Sequence, residues 1–388
     1  MSTEVEDHVL HGLARIRLVA PPPAASRRIA RVLGTTPVAS QGTADITITY
    51  VDSCATGTAL RWIGRHRSAF DEDTFYAVER SRNGRVGLST IPFEQLGRGE
   101  IDICCDRSVS SPPGLLDILN VVILAKGILP LHGSAFRWGG AGVVAAGWSK
   151  GGKTETLLAF AQDGADVIAD EWAYVTPDRR MFGIAGPIRL ESAHLAYLGP
   201  GRSVVGRGTR ARAAAARTAI GAHRALFERR RLPGAGLARA LVPLAEARDS
   251  VTVSPRDLFD GHYVGASDFD RVALLVTAAV PSPEVHPTTP ASVAARMTHA
   301  HVHHRRDLLA RYQEYRYGFP DRVCDVLERI EQVEHDLLER VLQDVPCIEV
   351  RLPQPPAIAE LYRVLAPVFS RQPRAQVDGG PNVDVPFV

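Results

Sequence analysis

The chain has 388 residues, 45% of them hydrophobic, and a formal charge of +2. That length suffices for a sizeable core and predicts two domains or one elaborated domain. The near-neutral balance gives no electrostatic reason to expect nucleic acid or a membrane surface as partner, and the five cysteines (Cys54, Cys104, Cys105, Cys324, Cys347) are odd in number without C-x-x-C spacing, which argues against a disulfide scaffold or zinc ribbon and for a reducing compartment.

The segment Met1–Asp7 is acidic and polar, unlike a secretory signal. Short β-type runs follow at Leu13–Ala20, Asp45–Val51, Thr74–Val78, Arg85–Ser89 and Ile101–Cys104, with a helix predicted at Arg27–Leu33 after a Pro21-Pro22-Pro23 spacer. No catalytic grouping stands out in this stretch. Ser110-Ser111-Pro112-Pro113 reads as a boundary, so a strand-rich N-terminal domain is expected over 1–112 and a second domain over 113–370. A tail over 371–388, rich in Gly, Pro and Asp, is expected to be disordered.

From Gly114 the pattern turns α/β. A helix over Leu115–Ala125 leads to strands at Leu131–Arg137 and Val143–Ala146, then to a helix from Lys153 to Ala161 and a short strand at Val167–Ala169. The apolar run 115–131 is interrupted by Asp117, Asn120, Lys126 and Pro130, so it reads as a buried helix entering a strand and not as a membrane span. A cytoplasmic setting is expected. Ser254–Phe259 reads as a turn or helix, Val272–Val276 as a buried strand, Asp307–Gln343 as strongly helical with i,i+4 charge pairs, Ile348–Leu352 as a late strand and Pro356–Phe369 as a final helix.

The chemistry concentrates between the second strand and the helix that follows it. The chain holds three lysines, Lys126, Lys150 and Lys153, among 45 basic residues, yet two of them fall in Gly147-Trp-Ser-Lys-Gly-Gly-Lys-Thr154. That run fits G-x-x-x-x-G-K-[ST], with an apolar strand before it and a helix after it, the setting in which backbone N–H groups and a helix N-terminus converge on phosphate. A compact ammonium suits the space between two phosphates better than a planar guanidinium. Gly147, Gly151 and Gly152 allow close backbone approach, Lys153 would neutralise β/γ oxygens, and the Thr154 hydroxyl is placed for Mg²⁺. Ser149, Lys150 and Glu155 complete the expected nucleotide-binding set; Lys150 has a reading as a phosphate contact and another as a solvated side chain.

The next strand ends in Asp170-Glu171, sixteen residues past Thr154. An acidic pair there can divide two tasks, metal support and acceptance of a proton from an attacking hydroxyl. Asp170, Glu171 and Thr154 are therefore the expected Mg²⁺ residues, and Asp170, Lys153 and His132 the expected catalytic ones. His132, in Leu131-His-Gly-Ser134, could be a core histidine, could tune Asp170, or could meet a transferring phosphoryl group.

These pieces, in this order, resemble the HPr kinase/phosphorylase family and its wider group of HPr-kinase-like serine kinases. The matching text is His132-Gly133, Gly147-Trp-Ser-Lys-Gly-Gly-Lys-Thr-Glu-Thr-Leu-Leu158, Asp163-Gly164, Val167-Ile-Ala-Asp-Glu171 and Gly183-Ile-Ala-Gly-Pro-Ile-Arg-Leu190. The resemblance covers 131–190, is diffuse over 191–370 and is not visible before 110. It implies a phosphate-loop kinase core related in fold to phosphoenolpyruvate carboxykinase, using ATP or another nucleoside triphosphate with Mg²⁺. It gives Asp170 the role of base, Lys153 and Thr154 the phosphate and metal roles, His132 that of the active-site histidine, Glu155 that of the acid after the loop, and Glu171 the place of a second aspartate. The glycine-rich signature tied to dephosphorylation is not legible in Glu191–Gly199, so kinase without phosphorylase activity is expected. The acceptor expected is a Ser/Thr hydroxyl of a peptide or protein; a free serine or metabolite alcohol, and a non-catalytic nucleotide-binding regulator, are the alternatives, and a homo-oligomer is a further expectation.

Two other clusters stay open. Arg202–Arg231 holds nine arginines against one acid, Glu228, and reads either as a solvated face or as loops meeting a charged substrate. His299, His301, His303 and His304 read either as a polar loop or helix start, or as metal ligands on a strand.

Overall fold

The computed structural model describes residues 4–55, 59–64, 67–80, 86–198 and 250–370. The fold is mixed α/β. The expected tail over 371–388 and the arginine stretch Arg202–Arg231 lie outside the described residues.

The first half is governed by period-two patterning. Its elements are β1 (Val5–Leu10), β2 (Ala14–Val19), α1 (Pro23–Leu33), β3 (Val38–Ala39), β4 (Ile46–Val51), β5 (Arg61–Ile63), β6 (Ser68–Phe70), β7 (Phe75–Arg80), β8 (Val86–Thr90) and β9 (Ile101–Asp106). In β2 and β4 every second residue is buried, as a strand with one face on a core requires. The nine strands form one sheet in the order β3-β1-β2-β4-β9-β8-β7-β6-β5. The expected strands here are all present. Helix α1 starts four residues ahead of expectation, at Pro23, because proline's fixed φ and missing N–H suit the first helical position.

The second half carries α2 (Leu115–Ala125), β10 (Leu129–Trp138), β11 (Ala141–Gly147), α3 (Lys153–Gln162), β12 (Asp166–Ala169), β13 (Trp172–Val175), β14 (Arg180–Gly183), β15 (Ile188–Glu191), α4 (Ser192–Leu198), β16 (Ser250–Val253), α5 (Pro255–Phe259), β17 (Ala266–Asp268), β18 (Arg271–Thr277), β19 (Glu284–Pro287), α6 (Pro290–His304), α7 (Arg306–Gly318), α8 (Asp325–Glu328), α9 (Ile330–Leu342), β20 (Cys347–Leu352) and α10 (Ile358–Phe369). The second large sheet runs β17-β14-β13-β10-β11-β18-β20-β19, with β12 also pairing β10. Its centre is parallel, β11 with β18 and β18 with β20, and β11 is buried along its whole length, as expected for a strand covered on both faces.

Helix α2, apolar nearly all round, belongs to one hydrophobic core that also takes residues of the first sheet (Ile16, Ile46), of the second (Leu131, Val144) and of α6 and α9 (Met297, Leu338). A second core behind α3 stacks Phe160 on Phe136 at 4.7 Å between ring centroids and packs Phe369 of α10 against both. The loop between β11 and α3 is thus held from behind by two layers. The stretch Asp307–Gln343 is three helices and not one, because Pro320 follows Phe319 and the residue before a proline is driven out of the helical region. Among the described residues no helix is long and apolar enough to cross a membrane.

Candidate active site

Strand β11 ends at Gly147, where φ is +153° and an added Cβ would lie 2.6 Å from the Leu275 carbonyl oxygen on β18. At Gly152, with φ of +95°, a Cβ would meet Leu352 at 2.5 Å. Only glycine fits either place. Between them Lys150 is exposed and takes a left-handed φ of 59°, a conformation that costs a side-chain-bearing residue energy. Helix α3 opens directly after Gly152, so its first backbone N–H groups face the loop.

Lys153 is buried under this loop. Its ammonium donates to the Trp148 carbonyl at 2.7 Å and the Gly147 carbonyl at 3.2 Å. Burial pulls its pKa down to about 8, against the attraction of Asp170, Glu171 and Glu155. Burial alone disfavours this ammonium, so an added anionic partner would be stabilised there, with Asp170, Glu171 and Glu155 already supplying part of that charge.

Asp170 follows β12 directly. The antiparallel pairing of β12 on β10, which sets Ala169 opposite Ala135, brings Ser134 beneath it. The Ser134 hydroxyl donates to Asp170 Oδ1 at 2.8 Å, and the Thr154 hydroxyl at the start of α3 donates to Oδ2 at 3.2 Å. Burial raises this carboxyl to about 7; the Ser134 hydrogen bond opposes the rise, the charge of Glu171 adds to it, and Thr154 opposes it. Glu171 is exposed as a residue, yet partial burial of its carboxyl raises it too, with Lys153 working the other way. Thr154, Asp170 and Glu171 offer the hard oxygen donors that Mg²⁺ takes. Among the described residues no group of three or more His, Cys, Asp or Glu side chains able to hold a metal occurs, at this junction or elsewhere.

Glu155, in the first turn of α3, faces His194 of α4, with Oε1 and Nε2 3.1 Å apart. The Glu191 backbone N–H donates to His194 Nδ1 at 3.0 Å, which leaves the proton on Nε2, directed at Glu155. Burial acts against ionisation of Glu155, but His194 outweighs it and holds the carboxyl below the ordinary glutamate value. His194 falls within Glu191–Gly199, where no glycine-rich signature is legible.

His132 is buried on β10, and its Nδ1 has no hydrogen-bond partner among the described residues. No hydrogen bond joins it to Asp170; the residue that tunes that carboxyl is Ser134. Instead His132 lies against His304 of α6, ring centroids 3.6 Å apart. Burial and the nearby positive charge of Lys153 push both imidazoles down, His304 to about 4 and His132 well below its ordinary value, so both are neutral rings at pH 7.

The histidine cluster therefore forms the last turn of a helix, not a loop, a helix start or a strand. Helical spacing puts His301 and His304 on one face toward β10. The His132 backbone N–H donates to His301 Nε2 at 3.1 Å, and His301 Nδ1 lies 3.0 Å from Glu334 of α9. Glu334 is also paired with the guanidinium of Arg305, and both side chains are fully buried. His303 turns the other way and lies against the Trp148 ring, centroids 4.6 Å apart.

Of the residues singled out from sequence, Gly147, Gly152, Lys153, Thr154, Asp170 and Glu155 converge at the junction of β11, α3 and β12. Glu171 borders it, and Ser149, Lys150 and Gly151 form the exposed and turning part of the loop. Ser134, His194 and His304 also take part, and the sequence did not expect any of them at this place. No protein-family model matches this chain, and no curated protein matches it.

Proposed function

We propose that the chain is a kinase with an HPr-kinase-like phosphate-loop core, moving the γ-phosphoryl group of ATP or another nucleoside triphosphate to an alcohol, with the Ser/Thr hydroxyl of a peptide or protein as acceptor. One observation carries this reading: Thr154, at the mouth of a glycine-rich loop that buries a lysine, shares a hydrogen bond with Asp170, whose carboxyl is itself held by Ser134 and titrates near 7. A base must accept a proton at working pH and return it afterwards, which an ordinary aspartate does poorly and one near 7 does well.

In the proposed reaction the acceptor's O–H proton passes to a carboxylate oxygen of Asp170 as the acceptor oxygen bonds to the γ-phosphorus. The bond from that phosphorus to the β,γ-bridging oxygen breaks, and the nucleoside diphosphate leaves with the electron pair. Lys153 and the N–H groups opening α3 neutralise phosphate charge as it spreads in the transition state. The Thr154 hydroxyl and the Glu171 carboxylate would hold Mg²⁺, which screens the same charge and leaves Asp170 free to accept the proton. Ser134 orients the Asp170 carboxyl, and the Glu155–His194 pair fixes the first turn of α3. Kinase without phosphorylase activity is the proposed activity, because the glycine-rich signature tied to dephosphorylation is not legible in Glu191–Gly199.

The test is transfer of labelled γ-phosphate from ATP, with Mg²⁺, to panels of Ser/Thr peptides and of free amino acids and small alcohols. Label on peptides supports the reading, and label on small acceptors alone replaces the proposed acceptor class. ATP binding without acceptor-dependent ADP release overturns the kinase reading.

A further inference from the structure

A cavity of about 480 Å³ opens beside the glycine-rich loop, lined by the loop itself, by the ends of β18 (Leu275, Val276) and by one face of α6 (Met297, Ala300). The lining is mainly aliphatic, with Arg296 and His299 at the α6 side, and Trp148, 51% exposed, forms part of the wall. An open aliphatic cavity walled by an exposed indole is an unusual surface to leave in water, and it suits a flat, poorly hydrated ring.

Its place relative to the acidic pair decides what that ring belongs to. In the sheet, β11 has β10 on one side and β18 on the other. Ser134, Asp170 and Thr154 meet on the β10 side. The cavity lies on the β18 side, and Gly147 and Gly151 line it while also shaping the loop. An extended ligand whose charged groups rest on the loop and on Lys153 thus has its reacting end toward Asp170 and its other end at the aliphatic cavity. Building on the kinase reading above, we infer that the cavity between the loop, the end of β18 and α6 receives the heteroaromatic base of a nucleoside triphosphate. The base would lie among Val276, Met297 and Ala300, with the Trp148 indole along its edge. The histidine-bearing helix then has two tasks, for its last turn also supports His132.

The experiment separates the base from the phosphates. Wild type, Ala300→Phe, Val276→Phe and Lys153→Ala are titrated calorimetrically with ATP and with inorganic tripolyphosphate, each with Mg²⁺. The two phenylalanines fill the cavity from different elements. Each is expected to weaken ATP binding by about tenfold or more, since a buried ring contributes that much. Tripolyphosphate affinity should stay within about threefold in both, which also shows that the loop remains folded. Lys153→Ala is expected to lose both ligands. If the two filled variants bind ATP as wild type does, or lose ATP and tripolyphosphate together, the base assignment is overturned while the phosphate assignment stands. If wild type binds neither ligand, the kinase reading fails, and the inference with it.

Discussion

Replacing Ser134 by alanine removes one hydroxyl and tests how the chain sets the proton affinity of Asp170. The Ser134 hydroxyl donates to Oδ1 at 2.8 Å and is the strongest influence opposing the burial that raises this carboxyl. A hydrogen bond to a charged acceptor is worth about 1.5–3 kcal/mol, and one pH unit corresponds to about 1.4 kcal/mol. Asp170 keeps partial solvent access, so water recovers some of the loss and the lower end applies. Ser134→Ala is expected to move the Asp170 titration from about 7 upward by about one pH unit. Carboxyl-labelled aspartate followed by carbon NMR across pH reads this directly, with the Asp170→Asn protein identifying the resonance. A midpoint within about 0.3 pH units of wild type would mean that the hydroxyl does not hold the carboxylate, and the proposed tuning would be wrong.

Three more outcomes are expected. Lys153→Met should retain or raise thermal stability, because the fold holds this ammonium against a burial that lowers its pKa to about 8, while nucleotide binding measured by calorimetry is lost. Asp170 is raised in the fold from an ordinary 3.8 to about 7, so its share of stability is full below 3.8 and lost as pH rises through 7; Asp170→Asn should therefore flatten the pH dependence of the melting temperature across that window and melt higher at pH 8. Arg305→Leu strands the buried Glu334 carboxylate and is expected to cost about 3–5 kcal/mol in urea unfolding, most of it restored in Arg305→Leu/Glu334→Leu. For Glu334 burial opposes ionisation, but His301 and Arg305 hold its pKa at about 2, so the pair's contribution is present above the ordinary 4.5 and fades as pH falls toward 2.

What the sequence disclosed and what it withheld divide along one physical line. Five of the nine strands of the first sheet, β2, β4, β7, β8 and β9, were legible, most clearly where one-sided burial writes itself as alternation, as in Ile46-Thr-Ile-Thr-Tyr-Val51, whereas β1, β3, β5 and β6 were not read. Strand β13 escaped notice because Trp172-Ala-Tyr-Val175 is four buried residues, too short an apolar run to show a period. The glycine-rich loop was legible because its backbone demands are met by neighbours in sequence. Ser134 stood in plain text beside His132, yet its partner depends on the β10–β12 register, which no local pattern specifies. His304 is further still: His299-Ala-His-Val-His-His304 suggests a strand's alternation, whereas it is the last turn of a helix whose three-residue step aims His301 and His304 at β10. His194 likewise reaches Glu155 only because α4 packs against α3. Contacts made through the backbone of one segment could be read from that segment; those that need two elements to meet could not.

The most direct measurement compares phosphotransfer by wild type and Asp170→Asn on the best acceptor found, at ATP and Mg²⁺ concentrations that saturate both proteins. Loss of a positioned base predicts a fall in kcat of about a hundredfold or more with nucleotide affinity retained. Transfer at the wild-type rate by the asparagine protein would contradict the assignment of Asp170 as the group that takes the acceptor's proton.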